Sequence, residues 1–284
     1  MLVSVAGCAR SSSFPSAFPS GFLSPAGPVA SADRHMFAVV IALMMIVVVP
    51  VFIGLPLVLW RYRLGNQKAA YRPDWSLSGP LEFAIWGIPV LIVAALSWQL
   101  WLGTHRLDPY KRFAGDDPLE VQAISLDWKW LFIYPGQDIA TVNRLVIPVD
   151  QPVHIDLTSD TVMQSLMIPS LAGQIYAMAG MRTQLNLVAN RQGRFLGENT
   201  QYNGEGFQKQ SFPADVMSPA RFQEWAAQVR ATAPPLDAAR YAQLTRRAAQ
   251  DKPLAFGSVE PGLFAKVINH YRADGSGWAQ GAKQ

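Results

Sequence analysis

The chain has 284 residues, of which 50% are hydrophobic and only 15% charged, whereas about a quarter of the residues in soluble domains are charged. This composition indicates membrane-embedded segments. The net charge of +4 is not arranged as a basic stripe interleaved with aromatic residues, so nucleic acid is excluded as a partner. The lone cysteine, Cys8, excludes an internal disulfide and any metal site built on a pair of thiolates.

Residues 1–35 are predicted to be a truncated signal segment followed by a flexible linker. Cys8 ends the stretch LVSVAGC, where apolar residues run into small ones, and this stretch resembles the lipobox of bacterial lipoproteins. Cys8 is therefore the predicted lipidation site. Because the apolar run is short and lacks a basic region before it, we expect translation to begin upstream of Met1. Residues 11–33 are rich in Ser, Pro, Gly and Ala, which is typical of a linker.

A transmembrane helix hairpin is predicted over residues 36–103. The run 36–60 has no charged residue and is long enough to cross a hydrocarbon core of about 30 Å. Pro50 and Pro56 predict a kink near its end. The run 81–102 carries three tryptophans that suit a membrane interface. The loop between the runs is basic, which predicts a cytoplasmic loop with the N-terminus and the rest of the chain outside; its charged residues are Arg61, Arg63, Lys68, Arg72 and Asp74.

Glu82 lies at the predicted cytoplasmic start of the second helix. An ionisable side chain that borders apolar surroundings is either part of a functional path or an ordinary residue of the headgroup layer. The residues alone leave both interpretations open.

After a linker over residues 104–118, a compact β domain is predicted over residues 119–212. Short runs rich in β-branched and aromatic residues are separated by Pro, Gly, Asp and Asn every 8–12 residues or so, which is typical of a sandwich or barrel. Polar and apolar residues alternate in HIDLT, so His154 is interpreted as an ordinary strand residue. Residues 213–284 are predicted to be helical, with amphipathic segments that cover the β domain or contact a neighbouring subunit.

Three strings of the chain resemble subunit II of the haem–copper terminal oxidases: DWKWLFIYP, SLMIPSLAGQIYAMAGM and RFLGENTQYNGEGF. The resemblance covers nearly the whole chain from Cys8 onwards. It implies a cupredoxin-like Greek-key β-barrel outside the membrane. In the cytochrome c oxidase branch this barrel binds a binuclear copper centre, in which bridging thiolates share one electron between the two coppers and imidazole and thioether ligands tune the potential.

The side-chain ligands of that copper centre are all replaced in this chain. The matching positions are Gln164 for the first histidine, Asn199 and Asn203 for the cysteines, Gln201 for the carbonyl donor, Phe207 for the second histidine and Gln210 for the methionine. The resemblance therefore implies a domain that binds no metal and takes no electrons from cytochrome c. The asparagines and glycines of the loop then serve turn formation.

In lacking the copper ligands, the chain resembles the quinol oxidase branch of the family. Within that branch it is most similar to the cytochrome bo type. That resemblance implies a non-catalytic subunit of a proton-pumping complex in the bacterial inner membrane, with its N-terminus and β domain in the periplasm. Quinol is then oxidised on subunit I, which holds the haems and the remaining copper, and O₂ is reduced to water. This chain would support the assembly and stability of subunit I and contact the other subunits and membrane lipid.

The resemblance also implies roles for individual residues. A glutamate that matches Glu82 lies near the mouth of a proton-uptake pathway into subunit I. Trp128, Trp130 and Tyr134 match the region that receives electrons in the copper-bearing branch, and here they are predicted to contact subunit I. Two alternatives stay open: subunit II of a cytochrome c oxidase, and a free-standing membrane lipoprotein with a binding or assembly role.

Overall fold

Two long apolar helices open the part of the chain that the computed structural model describes. Helix α1 spans Pro28–Arg61 and helix α2 spans Gly79–Arg106. Both are long and apolar enough to cross a membrane, and almost none of their most apolar stretches is buried inside the protein, unlike the core helix of a soluble domain. The described residues are 21–63, 65–66, 78–113, 117–250 and 252–273. Cys8 and most of the basic loop lie outside them.

Helix α1 begins at Pro28 and not at residue 36, where the apolar run starts. Pro28 occupies the first helical position, where proline fixes a helical φ and its missing N–H is not needed. Charged residues such as Asp33 follow in the next turn. They interrupt the apolar pattern of the sequence, but they are compatible with a helix. The helix continues through Pro50 and Pro56 without a break.

The segment before α1 attaches the hairpin to the β domain. The Ala26 N–H donates to the Ser170 carbonyl (2.7 Å), and the Ala26 carbonyl accepts from the Asn190 N–H (2.7 Å). The two helices meet near the same end, where a Cβ on Gly103 would lie 2.2 Å from Cε of Met36. The end of the hairpin that contains Met36 and Gly103 is therefore held close to the domain.

The domain is a sandwich of two sheets. The first contains β1, β2, β3, β5, β8 and β12, and the second contains β4, β6, β7, β9 and β10. Within each sheet most pairs are antiparallel, but β1 pairs with β5 and β4 with β10 in parallel. In chain order the strands are β1 Leu119–Leu126, β2 Lys129–Tyr134, β3 Ile139–Val142, β4 Leu145–Pro148, β5 Pro152–Ser159, β6 Gln164–Ile168, β7 Ala172–Ala177, β8 Thr183–Val188, β9 Gly193–Asn199, β10 Ser211–Met217, β11 Pro235–Leu236, β12 Leu254–Phe256 and β13 Ser258–Val259.

The C-terminal region is not purely helical. Helices α3 (Pro219–Thr232), α4 (Ala238–Leu244) and α5 (Leu263–Ala273) alternate with short strands. Strand β12 joins the edge of the first sheet by pairing with β3, and β11 pairs with β13. The predicted C-terminal helices are present. The short strands between them were not predicted, because three-residue strands depend on partners far away in the sequence.

Two hydrophobic cores hold this arrangement together. The core between the sheets contains the largest buried aromatic side chains, including Trp130 and Phe212. The second core lies on the outer face of the first sheet, where Leu131 and Ile133 of β2 are buried with Phe264 of α5. Strand β2 is consequently buried on both faces.

Candidate functional site

The residues that replace the expected copper ligands converge at one end of the second sheet. Gln164 begins β6, Asn199 ends β9 and Gln210 immediately precedes β10. Pairing of β9 with both β6 and β10 brings these three residues together. Asn203 joins them from the loop between β9 and β10, and all four side chains are buried. We call this cluster the amide pocket.

Hydrogen bonds between side-chain amides fill the amide pocket. Oε1 of Gln210 accepts from Nδ2 of Asn199 (2.9 Å) and from Nδ2 of Asn203 (2.7 Å). Nε2 of Gln210 donates to Oε1 of Gln164. Nε2 of Gln164 in turn donates to the carbonyl of Leu126 in the first sheet, at 2.9 Å. The network therefore links the two sheets at this end.

Asn199 fixes the start of the loop. Its Oδ1 accepts from the backbone N–H groups of Ser165 and Gln201, both at 3.0 Å. Its Nδ2 also donates to the Gln201 carbonyl at 2.8 Å. That carbonyl stands at the position of the family's carbonyl ligand, and here it accepts a hydrogen bond from an amide.

The donor set does not fit a binuclear copper centre. Such a centre requires thiolates, whereas the amide pocket offers neutral amide oxygens, and Phe207 offers a hydrocarbon ring. The oxygens of Gln164, Asn199 and Gln210 already accept N–H groups. Within the described residues, Oδ1 of Asn203 is the pocket atom that is buried without a hydrogen-bond partner. One neutral oxygen acceptor cannot replace the thiolate, imidazole and thioether ligands of a binuclear copper centre.

Trp128 covers the loop from outside. Its indole N–H donates to the Asn203 carbonyl (3.2 Å), and the guanidinium of Arg247 lies 5.1 Å from the ring centroid. A Cβ on Gly206 would lie 2.1 Å from the indole, so only glycine allows this close approach. Gly204 has a φ of +107°, which also favours glycine.

The three aromatic residues that were predicted to contact subunit I differ in their burial. Trp128 is partly exposed, whereas Trp130 and Tyr134 are wholly buried inside the β domain. The Tyr134 hydroxyl accepts from the backbone N–H of Val146 at 2.8 Å, and its burial raises the pKa of this phenol. This corrects the prediction for Trp130 and Tyr134, because a buried side chain cannot contact another subunit.

Glu82 lies in the first turn of α2, and its side chain is exposed. The first turn of α2 is at the opposite end of this helix from the linker to the β domain. Glu82 is therefore separated from the amide pocket, and its role depends on whatever surrounds this end of the hairpin.

A second polar cluster was not predicted from the sequence. Ligand atoms of Glu120, His154 and Asp156 all lie within 4.8 Å of one another. The residues come from β1 and β5, which are adjacent only because these strands pair in parallel. The alternating polar residues of HIDLT place His154 and Asp156 on one face, which was the single local signal for the cluster.

Similar proteins were found among known families. Profiles described as "Cytochrome C oxidase subunit II, periplasmic domain" and "COX Aromatic Rich Motif" match residues 136–216 and 230–275. "Cytochrome bo(3) ubiquinol oxidase subunit 2" of Pseudomonas aeruginosa is 43% identical over 91% of this chain and 78% of that protein. "Ubiquinol oxidase subunit 2" of Acetobacter aceti is 42% identical over 88% of this chain and 82% of that protein.

A solved structure is also similar. The periplasmic domain of subunit II of cytochrome oxidase from Bradyrhizobium japonicum is 18% identical, with a TM-score of 0.39 over 41% of this chain and 96% of that chain. Together the apolar helices, the β-sandwich and the matched family profile confirm the predicted fold class, a transmembrane hairpin followed by a cupredoxin-like domain and a short helical part.

Proposed function

Because this chain belongs to the family of ubiquinol oxidase subunit 2 proteins, and is thus a subunit of a terminal oxidase complex, we propose that it is a copper-free subunit without catalytic activity of its own. The complex oxidises quinol, reduces O₂ to water and moves protons across the membrane. Quinol binds to subunit I, which also holds the haems and the copper of the complex.

The amide pocket is the observation that carries this proposal. A subunit II that receives electrons from cytochrome c needs a redox metal near its surface. Here four of the equivalent side chains are neutral amides that hydrogen-bond to one another, and the fifth is the hydrocarbon ring of Phe207. Electrons must therefore reach subunit I by another route, and a quinol dissolved in the membrane supplies one.

The hairpin supports an anchoring and assembly role. Large apolar side chains are exposed along both helices, for example Phe52 on α1 and Phe83 on α2. Such surfaces are stable only against lipid or other transmembrane helices. We assign one face of the hairpin to subunit I and the remainder to lipid of the inner membrane. The β domain then covers the periplasmic face of subunit I, with an acyl chain on Cys8 as a further anchor.

Affinity purification of the detergent-solubilised complex through this chain tests the proposal. We expect haem absorbance and a large polytopic subunit to co-purify, with oxygen consumption driven by ubiquinol and none driven by reduced cytochrome c. Oxygen consumption with cytochrome c would contradict the copper-free role. Purification of the chain without haem would instead favour a free-standing lipoprotein.

Glu82 is proposed to assist proton uptake from the cytoplasm. Its support is an exposed carboxylate in the first turn of a helix whose own sequence is predominantly apolar. We expect Glu82→Gln to lower quinol-driven turnover of the complex by at least about twofold, because proton relays by side chains contribute strongly to rate. Turnover and proton pumping are measured in reconstituted vesicles.

Asp108→Asn is the matched control for Glu82→Gln. It removes a carboxylate just beyond the other end of α2, where proton uptake from the cytoplasm cannot occur in the proposed orientation. Equal turnover and pumping in wild type, Glu82→Gln and Asp108→Asn would remove Glu82 from the mechanism.

A further inference from the structure

A row of polar side chains crosses the first sheet at the end of β1 away from the amide pocket. Glu120 on β1 lies opposite His154 on β5, and His154 lies opposite Asn186 on β8. Asp156 follows His154 by two residues and so projects from the same face. This face is the outer one, because the intervening Ile155 belongs to the core between the sheets.

The hydrogen bonds of Asn186 determine which nitrogen of His154 carries a proton. Nδ2 of Asn186 donates to the carbonyl of Pro109 at 2.9 Å. The amide oxygen Oδ1 therefore faces His154, and it lies 2.7 Å from Nδ1. Since an amide oxygen only accepts, Nδ1 is assigned as the protonated nitrogen. The neutral ring then presents a lone pair at Nε2.

Nε2 of His154 faces two carboxylates. It lies 3.4 Å from Oδ1 of Asp156 and 4.0 Å from Oε2 of Glu120. The side chain is only 1% exposed, and Nε2 has no hydrogen-bond partner within the described residues. A buried polar atom without a partner is unfavourable, and here it is surrounded by further acceptors. A cation bound between the three groups would give Nε2 and both carboxylates a common partner.

We propose that Glu120, His154 and Asp156 form a binding site for a divalent transition metal ion such as Zn²⁺. Zn²⁺ binds imidazole nitrogens and carboxylate oxygens at about 2.0–2.2 Å, so two ligands of a tetrahedral ion lie about 3.4 Å apart. The distance of 3.4 Å between Nε2 of His154 and Oδ1 of Asp156 already has this value. Glu120 is partly exposed and can move closer.

Arg182 positions Asp156 and moderates the charge of the site. Its Nε donates to Oδ1 of Asp156 at 2.6 Å, and a second guanidinium nitrogen donates to Oδ2. A carboxylate oxygen has two lone pairs, so Oδ1 can bind a metal and still accept this hydrogen bond. The guanidinium of Arg182 offsets part of the charge of the two carboxylates, which still face Nε2 of His154.

Solvent can reach the proposed site, and an ion bound there would connect two strands. A cavity of about 120 Å³ adjoins His154 and is also lined by Arg112 and Asn186. The partly exposed Glu120 opens the cluster to solvent, which can supply water as a fourth ligand. The bound ion would tie β1 to β5 beside the linker from α2, where Asn186 holds the Pro109 carbonyl. This site is independent of the proposed oxidase function and adds a metal to a chain expected to bind none.

Zinc titration of the full-length chain in detergent micelles tests the site. The chain is purified through a tag that lacks histidine, stripped of metal with a chelator, and titrated with ZnCl₂ against a chromogenic zinc indicator at neutral pH. We expect wild type to bind one Zn²⁺ per chain. Glu120→Gln is expected to weaken binding by at least about tenfold, since even groups that only support metal ligands contribute about 10- to 100-fold.

Three comparisons make the result decisive. Glu120→His supplies another zinc ligand and should restore binding relative to Glu120→Gln. Glu224→Gln removes an exposed carboxylate from α3 and should bind like wild type. Equal thermal unfolding of the metal-free variants establishes that each is folded. Absence of Zn²⁺ binding in wild type, equal binding in Glu120→Gln, or no recovery in Glu120→His would overturn the proposal.

Discussion

Replacement of Gln210 by leucine is expected to destabilise the β domain by about 2–6 kcal/mol. Gln210 accepts from Asn203 and donates to Gln164, and both of these side chains are buried. Leucine has a similar size but no polar atoms, so the Asn203 amide N–H and the Gln164 amide oxygen both lose a partner. Each buried unsatisfied group costs about 1–3 kcal/mol. Chemical denaturation of the full chain in detergent, followed by tryptophan fluorescence, measures the loss.

Gln208→Leu is the matched control, because Gln208 lies in the short helical turn Phe207–Lys209 that directly precedes Gln210, but it is exposed. We expect its free energy of unfolding to stay within about 0.5 kcal/mol of wild type. An equally small change in Gln210→Leu would show that the amide pocket does not hold the two sheets together.

Trp130→Ala is expected to destabilise the domain by about 3–5 kcal/mol. Its side chain is completely buried between the sheets, with the rings of Phe132 and Phe212 centred 6.4 Å and 6.5 Å away. Alanine would leave a cavity that the surrounding strands cannot close. The free energy of unfolding is measured as for Gln210→Leu.

Tyr202→Ala provides the comparison for Trp130→Ala. Tyr202 is an aromatic residue of the same domain but is 71% exposed, so its removal should change stability little. If Trp130→Ala lowered the free energy of unfolding no more than Tyr202→Ala does, Trp130 would not be a core residue. It would then be available for contact with subunit I.

The hairpin and most strands could be predicted because their signals are local. A charge-free run of membrane length and a strand with alternating residues both depend only on neighbours in the sequence. The start of α1 was less clear, because its first turns are polar and precede the apolar run. Strand β12 could not be predicted, since it exists through its pairing with β3, more than a hundred residues earlier.

The sequence predicted which residues form the amide pocket but not how they interact. Family positions identified Gln164 and Gln210, yet the hydrogen bond between them joins residues 46 positions apart. Burial was harder to predict. Trp130 and Tyr134 looked available for subunit contacts, but β2 is covered on one face by the second sheet and on the other by α5. The cluster of Glu120, His154 and Asp156 was missed because β1 and β5 pair in parallel across a long connection.

Copper at the amide pocket would decide whether this chain can pass electrons. Anomalous X-ray scattering at the copper edge, recorded from crystals of the purified complex, locates copper ions by residue. The copper expected in subunit I is the internal positive control. We predict no copper between Gln164 and Gln210, where the amides hydrogen-bond to one another. Two copper ions at that position would contradict the copper-free role of the subunit.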